Sequence, residues 1–263
     1  MSAPSVAPPV RRARRWPWIT AAVVLVVLAV AAIAGDALAR EYAGQYVRER
    51  VIAALGLDPG TPVGVELGGG SILLQALAGR IDSVDVTIER LEVGELAGEA
   101  SMHAEGVPLD PAAATRLLDL RVRIDEAAVG VLADRLSGIP LETVELEEPE
   151  IVATTALSVL GARLPVGMGL VPSAEEGRLV FTPTSIRVGE ESFTVEELRA
   201  SVLGPLAAGL LQQQSFCVAE HLPEALRLAD VAVEGAALAI RVEGDGAALG
   251  GPGLQSPGRC EGS

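Results

Sequence analysis

The first 35 residues constrain this chain more than any other part of it. Arg11, Arg12, Arg14 and Arg15 are followed by 20 residues, Trp16 to Gly35, that carry no charge. At about 1.5 Å of rise per residue, a helix of roughly 20 apolar residues crosses the hydrocarbon core of a bilayer. The arginines stay cytoplasmic by the positive-inside rule, so the rest of the chain is expected on the far side. Trp16 and Trp18, the only tryptophans, stand where an interfacial belt would be. A buried core helix has no use for four arginines abutting it. The expected division is a basic tail over 1–15, a transmembrane or signal segment over 16–35, and an extracytoplasmic domain over 36–263 with an irregular C-terminal tail. Two fates fit the segment. Ala32-Ile33-Ala34 and Ala37-Leu38-Ala39 both match the small-x-small pattern of signal cleavage, yet the run exceeds the roughly 7–15 apolar residues of a cleaved signal, which favours an uncleaved anchor.

Charge narrows the partners. After position 35 there are 16 arginines against 35 acidic residues, a net charge of −19. Nucleic acid is excluded as a partner by repulsion from its phosphates, and flat electrostatic docking on anionic lipid is disfavoured in the same way. The chain has no lysine, which removes Schiff-base chemistry and a P-loop. Beyond the N-terminal segment the aromatic residues are Tyr42, Tyr46, Phe181, Phe193 and Phe216, so the core is expected to be Leu, Val, Ile and Ala. Cys217 and Cys260 read as a disulfide in an oxidising compartment. Closing that loop contributes about 4 kcal/mol in the chain-entropy model and would pin the Gly/Pro-rich stretch Gly250–Gly258.

Periodicity supplies the elements. Asp36 to Leu55 is expected to continue the N-terminal helix, with Leu38, Tyr42, Tyr46, Val51, Ile52 and Leu55 as its apolar stripe, ended by Gly56 and Pro59. Val63–Leu67 reads as extended. Gly68-Gly69-Gly70-Ser71 reads as a bend between strands, leading to a second apolar stretch, Ile72–Leu77. From Arg80 the period becomes two, the mark of a half-buried strand running into a hairpin. Asp110-Pro111 has the N-cap and N1 residues of a short helix reaching about Asp119. A further helix is expected over Asp125–Leu136, closed by Gly138 and Pro140. Strands follow over 141–147, 151–159, 162–171 and 178–188. Thr194-x-x-Glu197 is a capping box opening a helix to about Leu211, and strands over 228–234 and 238–243 turn at Gly235. The sum is an α+β fold, a long, curved, mostly antiparallel sheet packed with amphipathic helices and preceded by one N-terminal transmembrane or signal helix.

Catalytic motifs are missing. His103 and His221 have no partner ligands at zinc spacing, and no G-x-S-x-G elbow occurs, so no catalytic residue, metal site or cofactor is assigned. Glu145, Glu147, Glu148 and Glu150 form the densest acidic cluster. Read as paired carboxylates they would suit a hydrolase; read as the solvent face of an alternating strand they need no function, and the second reading is preferred.

Three segments carry a resemblance. Gln214-Ser215-Phe216-Cys217-Val218-Ala219-Glu220-His221-Leu222-Pro223, then Leu228-Ala229-Asp230-Val231-x-Val233-x-Gly235, and Leu254-Gln255-Ser256-Pro257-Gly258-x-Cys260 resemble the LmeA-like phospholipid-binding proteins of actinobacterial envelopes. The N-terminal segment, Arg80-Ile81-Asp82-Ser83-Val84 and the paired cysteines agree with it. The resemblance implies a periplasmic phospholipid binder of tubular fold that supports lipomannan-type lipoglycan assembly, with no established active site. The resemblance supplies no lipid-contact residues; the leading reading is an apolar groove for acyl chains with Leu38, Tyr42, Tyr46, Leu73, Leu74 and Leu77 as candidate chain contacts, and simple helix-to-sheet packing accounts for the Leu38, Tyr42 and Tyr46 stripe at least as well. Arg80, Arg163 or Arg178 would meet the head group. The expected partners are a phospholipid and, through the N-terminal helix, the membrane. The alternatives are an envelope scaffold that recruits a partner and has no lipid cavity, and the carboxylate hydrolase.

Overall fold

The structure, a computed structural model, describes residues 16–93, 96–137, 141–159, 162–189, 191–201 and 211–260; the side chains of the first helix are described from Val24. The basic tail, the stop at Gly138 and Pro140, and residues 202–210 lie outside these residues; the helix expected to run from Thr194 to about Leu211 ends at Ala200, with Ser201 extended. Helix α1 (Trp16–Leu55) is unbroken over 40 residues. It therefore joins the uncharged segment to the domain as one rod of about 60 Å. Among the described residues no helix is long and apolar enough to cross a membrane. The described side chains of α1 begin 12 residues before Asp36, short of a full span.

Two antiparallel sheets follow, where the sequence suggested one. The first contains β1 (Val63–Leu67), β2 (Arg80–Val93), β3 (Leu96–Pro108), β4 (Leu117–Asp125), β11 (Arg227–Glu234) and β12 (Ala237–Asp245), in the order β1-β2-β3-β4-β12-β11. The second contains β5 (Thr143–Glu147), β6 (Glu150–Val159), β7 (Ala162–Glu175), β8 (Arg178–Val188) and β10 (Gln214–Cys217), in the order β10-β8-β7-β6-β5. Strand β9 (Glu191–Thr194) also pairs with β8. Helix α3 (Glu126–Ser137) stands between β4 and β5 and breaks the meander; β12, arriving from the C-terminal end, takes the ladder edge that β5 would otherwise have used. A sheet buries one face only by packing against another layer, and here each sheet helps cover the other. Leu228, Val231 and Val233 of β11 share a core with Leu146 and Ile151 of the second sheet and with Ala128 and Val129 of α3.

A second core lies at the other end of the first sheet, where α1 covers β1 and β2. Val63, Val84, Val86 and Ile88 are buried there, with Ala39, Ala43, Val47, Val51 and Ile52 of α1 packed on them. The covering face of the helix is made of small residues at first, Ala39 and Ala43, and takes in Val51 and Ile52 of the expected stripe further along. Leu38, Tyr42 and Tyr46, the leading half of the expected stripe, point away from the sheet. Small side chains at Ala39 and Ala43 let the helix axis approach the sheet closely there, and Leu38, Tyr42 and Tyr46 are left outside.

Two further expectations need correction. Ile72–Leu77 is a helix, α2, N-capped by Ser71, whose hydroxyl accepts from the Leu74 amide at 3.3 Å, so the triple glycine bends a strand into a helix. The residues after Asp110-Pro111 do not form a helix. Asp110 only caps a turn, its carboxylate accepting from the Ala112 amide at 2.9 Å, and the chain enters β4 at Leu117. The alternation of Leu118, Leu120, Val122 and Ile124 with Asp119, Arg121 and Arg123 outweighs the local cap. The β2–β3 hairpin, the β11–β12 hairpin turning at Gly235, α3, the strands over 143–188 and the capping box before α4 (Val195–Ala200) match their expected positions. Cys217 and Cys260 form the expected disulfide, with Cα atoms 5.9 Å apart.

Candidate functional site

Three surfaces could carry function, and each follows from how the two cores are placed. The first is the seam between them. On the apolar face of the first sheet, Val86, Met102, Leu120, Val242 and Leu228 lie side by side on neighbouring strands, and so do Ile88, Ala100, Val122, Ile240 and Val231. The outer members of both rows are buried, by α1 at one side and by the second sheet at the other. Met102, Leu120, Val122 and Ile240, in the middle, are half-buried. Val122 touches both cores. With strands about 4.8 Å apart, the half-covered strip is about 10 Å wide. It is lined by aliphatic side chains and one thioether, a flexible filler of irregular apolar space. None of these four was singled out from the sequence. Alternation places them on the apolar face, but their partial exposure depends on where α1 and the second sheet stop, which no local pattern encodes.

The second surface is the opposite, polar face of the same sheet, a groove of about 850 Å³ lined by Thr87, Ser101, Arg121, Arg123, Arg241 and Asp230 among others. Its charges are matched across strands. Arg241 donates to Asp119 through Nε at 2.9 Å and Nη2 at 2.5 Å and reaches Glu243 at 3.0 Å; Arg121 meets Asp119 at 3.3 Å and Arg123 meets Glu234 at 3.3 Å. The bond to Asp119 raises the Arg241 pKa. His103 Nδ1 lies 2.6 Å from Asp85, and that bond raises the His103 pKa, with Glu105 at 3.5 Å adding to it. These exposed pairs set the strand register and a charged exterior, each contributing little stability.

The third surface is the junction of α1 and α2, where most of the sequence-chosen residues fall. Ile72 and Gln75 of α2 point inward and are buried. Gln75 Nε2 donates to the Gly68 carbonyl at 3.1 Å, while its Oε1 accepts from the Asp82 amide at 2.7 Å, tying the glycine bend to the start of β2. A Cβ at Gly68 would sit 2.0 Å from Ser83 Oγ, so a larger residue there would force that hydroxyl to turn away. Asp36 of α1 accepts from the Ser71 hydroxyl at 2.7 Å and the Leu73 amide at 3.1 Å, which lowers its pKa. Arg40, one turn on, donates to the carbonyls of Leu67 and Gly70. Leu73, Leu74 and Leu77 occupy the outward face of α2, with Leu74 67% and Leu77 85% exposed, and Arg80 follows directly at the exposed start of β2. Leu38 and Tyr42 are 72% and 75% exposed on the outer side of α1, and Tyr46 lies under the Arg50 guanidinium, 5.3 Å from its ring centre. Arg163 and Arg178, the other head-group candidates, belong to the second sheet, away from this junction.

The acidic cluster has structural partners. Glu147 forms a two-pronged pair with Arg187, at 2.6 and 3.2 Å, which lowers its pKa; Glu150 accepts from Ser185 at 3.3 Å and Glu148 from the Gly235 amide at 3.1 Å. Among the described residues no group of acidic, histidine or cysteine side chains is arranged to hold a metal ion.

Residues 34–243 match the family model described as LmeA-like phospholipid-binding. The matched span opens at the end of the uncharged segment and closes on β12, so it takes in both cores, the seam and the α1–α2 junction. No curated protein and no solved structure matches the chain.

Proposed function

We propose, from the premise that this chain belongs to the LmeA-like phospholipid-binding family, that it is a membrane-anchored extracytoplasmic protein holding phospholipid acyl chains in the seam. The half-buried strip of Met102, Leu120, Val122 and Ile240 between two closed cores carries this reading. Binding sites for small molecules are mostly apolar and largely preformed, and a lining of branched aliphatic groups suits a hydrocarbon tail. A curved, tubular arrangement of the two sheets would lengthen the seam into a channel. Support for envelope lipid or lipomannan-type lipoglycan assembly is the role the family resemblance implies for such a carrier.

The location rests on the four arginines before the uncharged segment and on the disulfide, which suits an oxidising compartment. Retention of the segment is favoured by the helix itself. Both small-x-small motifs lie inside unbroken α1, Ala39 is packed into the core, and Asp36 is hydrogen-bonded to α2. Cutting after Ala39 would remove both contacts.

Native mass spectrometry of the full chain, released from detergent, tests the reading. A phospholipid mass is expected on the protein, and Leu120→Trp, which fills the seam, is expected to remove it while leaving the thermal unfolding midpoint within a few degrees. A lipid-free chain, or lipid retained at wild-type occupancy in Leu120→Trp, would overturn the assignment of the seam.

A further inference from the structure

We infer that the outward face of α2, with Leu109 beside it, is a bilayer-docking foot that inserts into the leaflet next to the anchor. The inference rests on the membrane-anchored reading above and adds a second, independent point of contact. Four observations lead to it. Leu73, Leu74 and Leu77 cover the whole outer face of α2, and the stretch Leu67–Gly79 has no charge, although the exported region as a whole carries −19. Leu109 is 55% exposed and is joined to the end of α2 by its amide, which donates to the Gly79 carbonyl at 3.0 Å. The leucines are held rigidly, because Gln75 and Ile72 fix the inner face.

The fourth observation sets the depth. Asp36 is the first charge after the uncharged segment, so it marks where α1 leaves the hydrocarbon. That same carboxylate accepts from Ser71 and from the Leu73 amide, and the Leu73 side chain reaches within 3.8 Å of where a Cβ on Gly35 would stand. The foot therefore sits at the level of the bilayer surface and not at some other height on the domain. Above Gly35, the large apolar residues between Val24 and Ile33 are 57–71% exposed on every side of α1, an apolar surface continuous with the foot that only lipid covers all round. Apolar contact, and not charge, makes the attachment; Arg80, next to the foot, is placed to meet a phosphate.

Single cysteines carrying the NBD fluorophore, in the full chain reconstituted into vesicles of phosphatidylcholine and phosphatidylglycerol, test this directly. The native cysteines are consumed in the disulfide and stay unlabelled. Leu74→Cys and Leu77→Cys, both exposed, do not disturb the core. Their labels are expected to emit at shorter wavelength and to lose intensity to a lipid-borne quencher, as a label at Val27→Cys does, while one at Glu196→Cys on α4 remains water-like. Water-like labels at 74 and 77 alongside a quenched label at 27 would overturn the foot and leave the anchor standing. Labels at 74 and 77 that are shielded from water but untouched by the lipid quencher would assign the face to a protein contact and also overturn it. An unquenched label at 27 would remove the anchor, and the foot with it.

Discussion

His103 is the residue whose chemistry has the most direct experimental reach. It sits in mid-strand on the polar face, held by Asp85 from the neighbouring strand, and its pKa is raised because Asp85 bonds the protonated ring. An unfolded histidine titrates near about 6.5. A raised folded value means the pair contributes fully below that pH and is lost as pH climbs through the folded value. Thermal unfolding of wild type and Asp85→Asn should therefore differ most below about pH 6.5 and converge as pH rises above it; a difference that widened with pH would reverse the assignment. Gln75 shows what one residue can settle unseen. It is polar, within an apolar run, and the sequence offers no reason to bury it. Its reason is long-range, for it satisfies the backbone groups that a glycine bend leaves open, and such groups are costly when buried without partners.

Among the elements, legibility followed the range of the forces involved. Strands β2, β6, β7 and β8, the capping box at Thr194 and helix α3 were readable because alternation, caps and apolar spacing are local. Helix α2 was not, since six residues cannot hold a helix alone and its N-cap is oriented by Asp36, 35 positions earlier. The entry to β4 was legible in principle: the alternation from Leu118 to Ile124 was present, and the Asp-Pro cap signal competed with it and lost. On α1 the stripe is right for Val51 and Ile52, which pack on the core, and wrong for Leu38, Tyr42 and Tyr46, in whose place Ala39, Ala43 and Val47 provide the packing face. The disulfide belongs at this scale as well, because it ties β10 to the C-terminal tail over a separation of 43 residues and sits against the Gly177 turn, whose carbonyl accepts from the Val218 and Ala219 amides. Cys217→Ser with Cys260→Ser is expected to cost up to about 4 kcal/mol, read as a lowered thermal midpoint. Amide exchange should rise first over residues 250–260 while the first sheet keeps its protection.

For the whole molecule, the fold class and the side of the membrane on which the domain is expected to work could be argued from the sequence, whereas the two-sheet division and the seam could not. Both arise from β12 closing onto β4, a pairing across more than a hundred residues that no local periodicity announces. The proposal that the N-terminal segment is kept as an anchor makes a simple demand on the mature protein. Its intact mass, after purification from membranes, should correspond to a chain that includes Trp16 to Ala39, and the protein should stay with the membrane fraction in alkaline carbonate. A mass beginning at Gly35 or Arg40 would mean that the segment is cut.

The unbroken course of α1 has a mechanical consequence. A spanning helix tilts to match the thickness of the bilayer around it, and in a chain with a flexible linker that tilt would be lost at the first loop. Here the same rod continues into the domain and is clamped there by Asp36, Arg40 and Arg48. A tilt of about 20° would swing the far end of the roughly 30 Å of helix beyond Asp36 sideways by about 10 Å. Under the membrane-anchored reading proposed above, local membrane thickness would thus steer the seam toward or away from the lipid surface, with α1 acting as a lever arm.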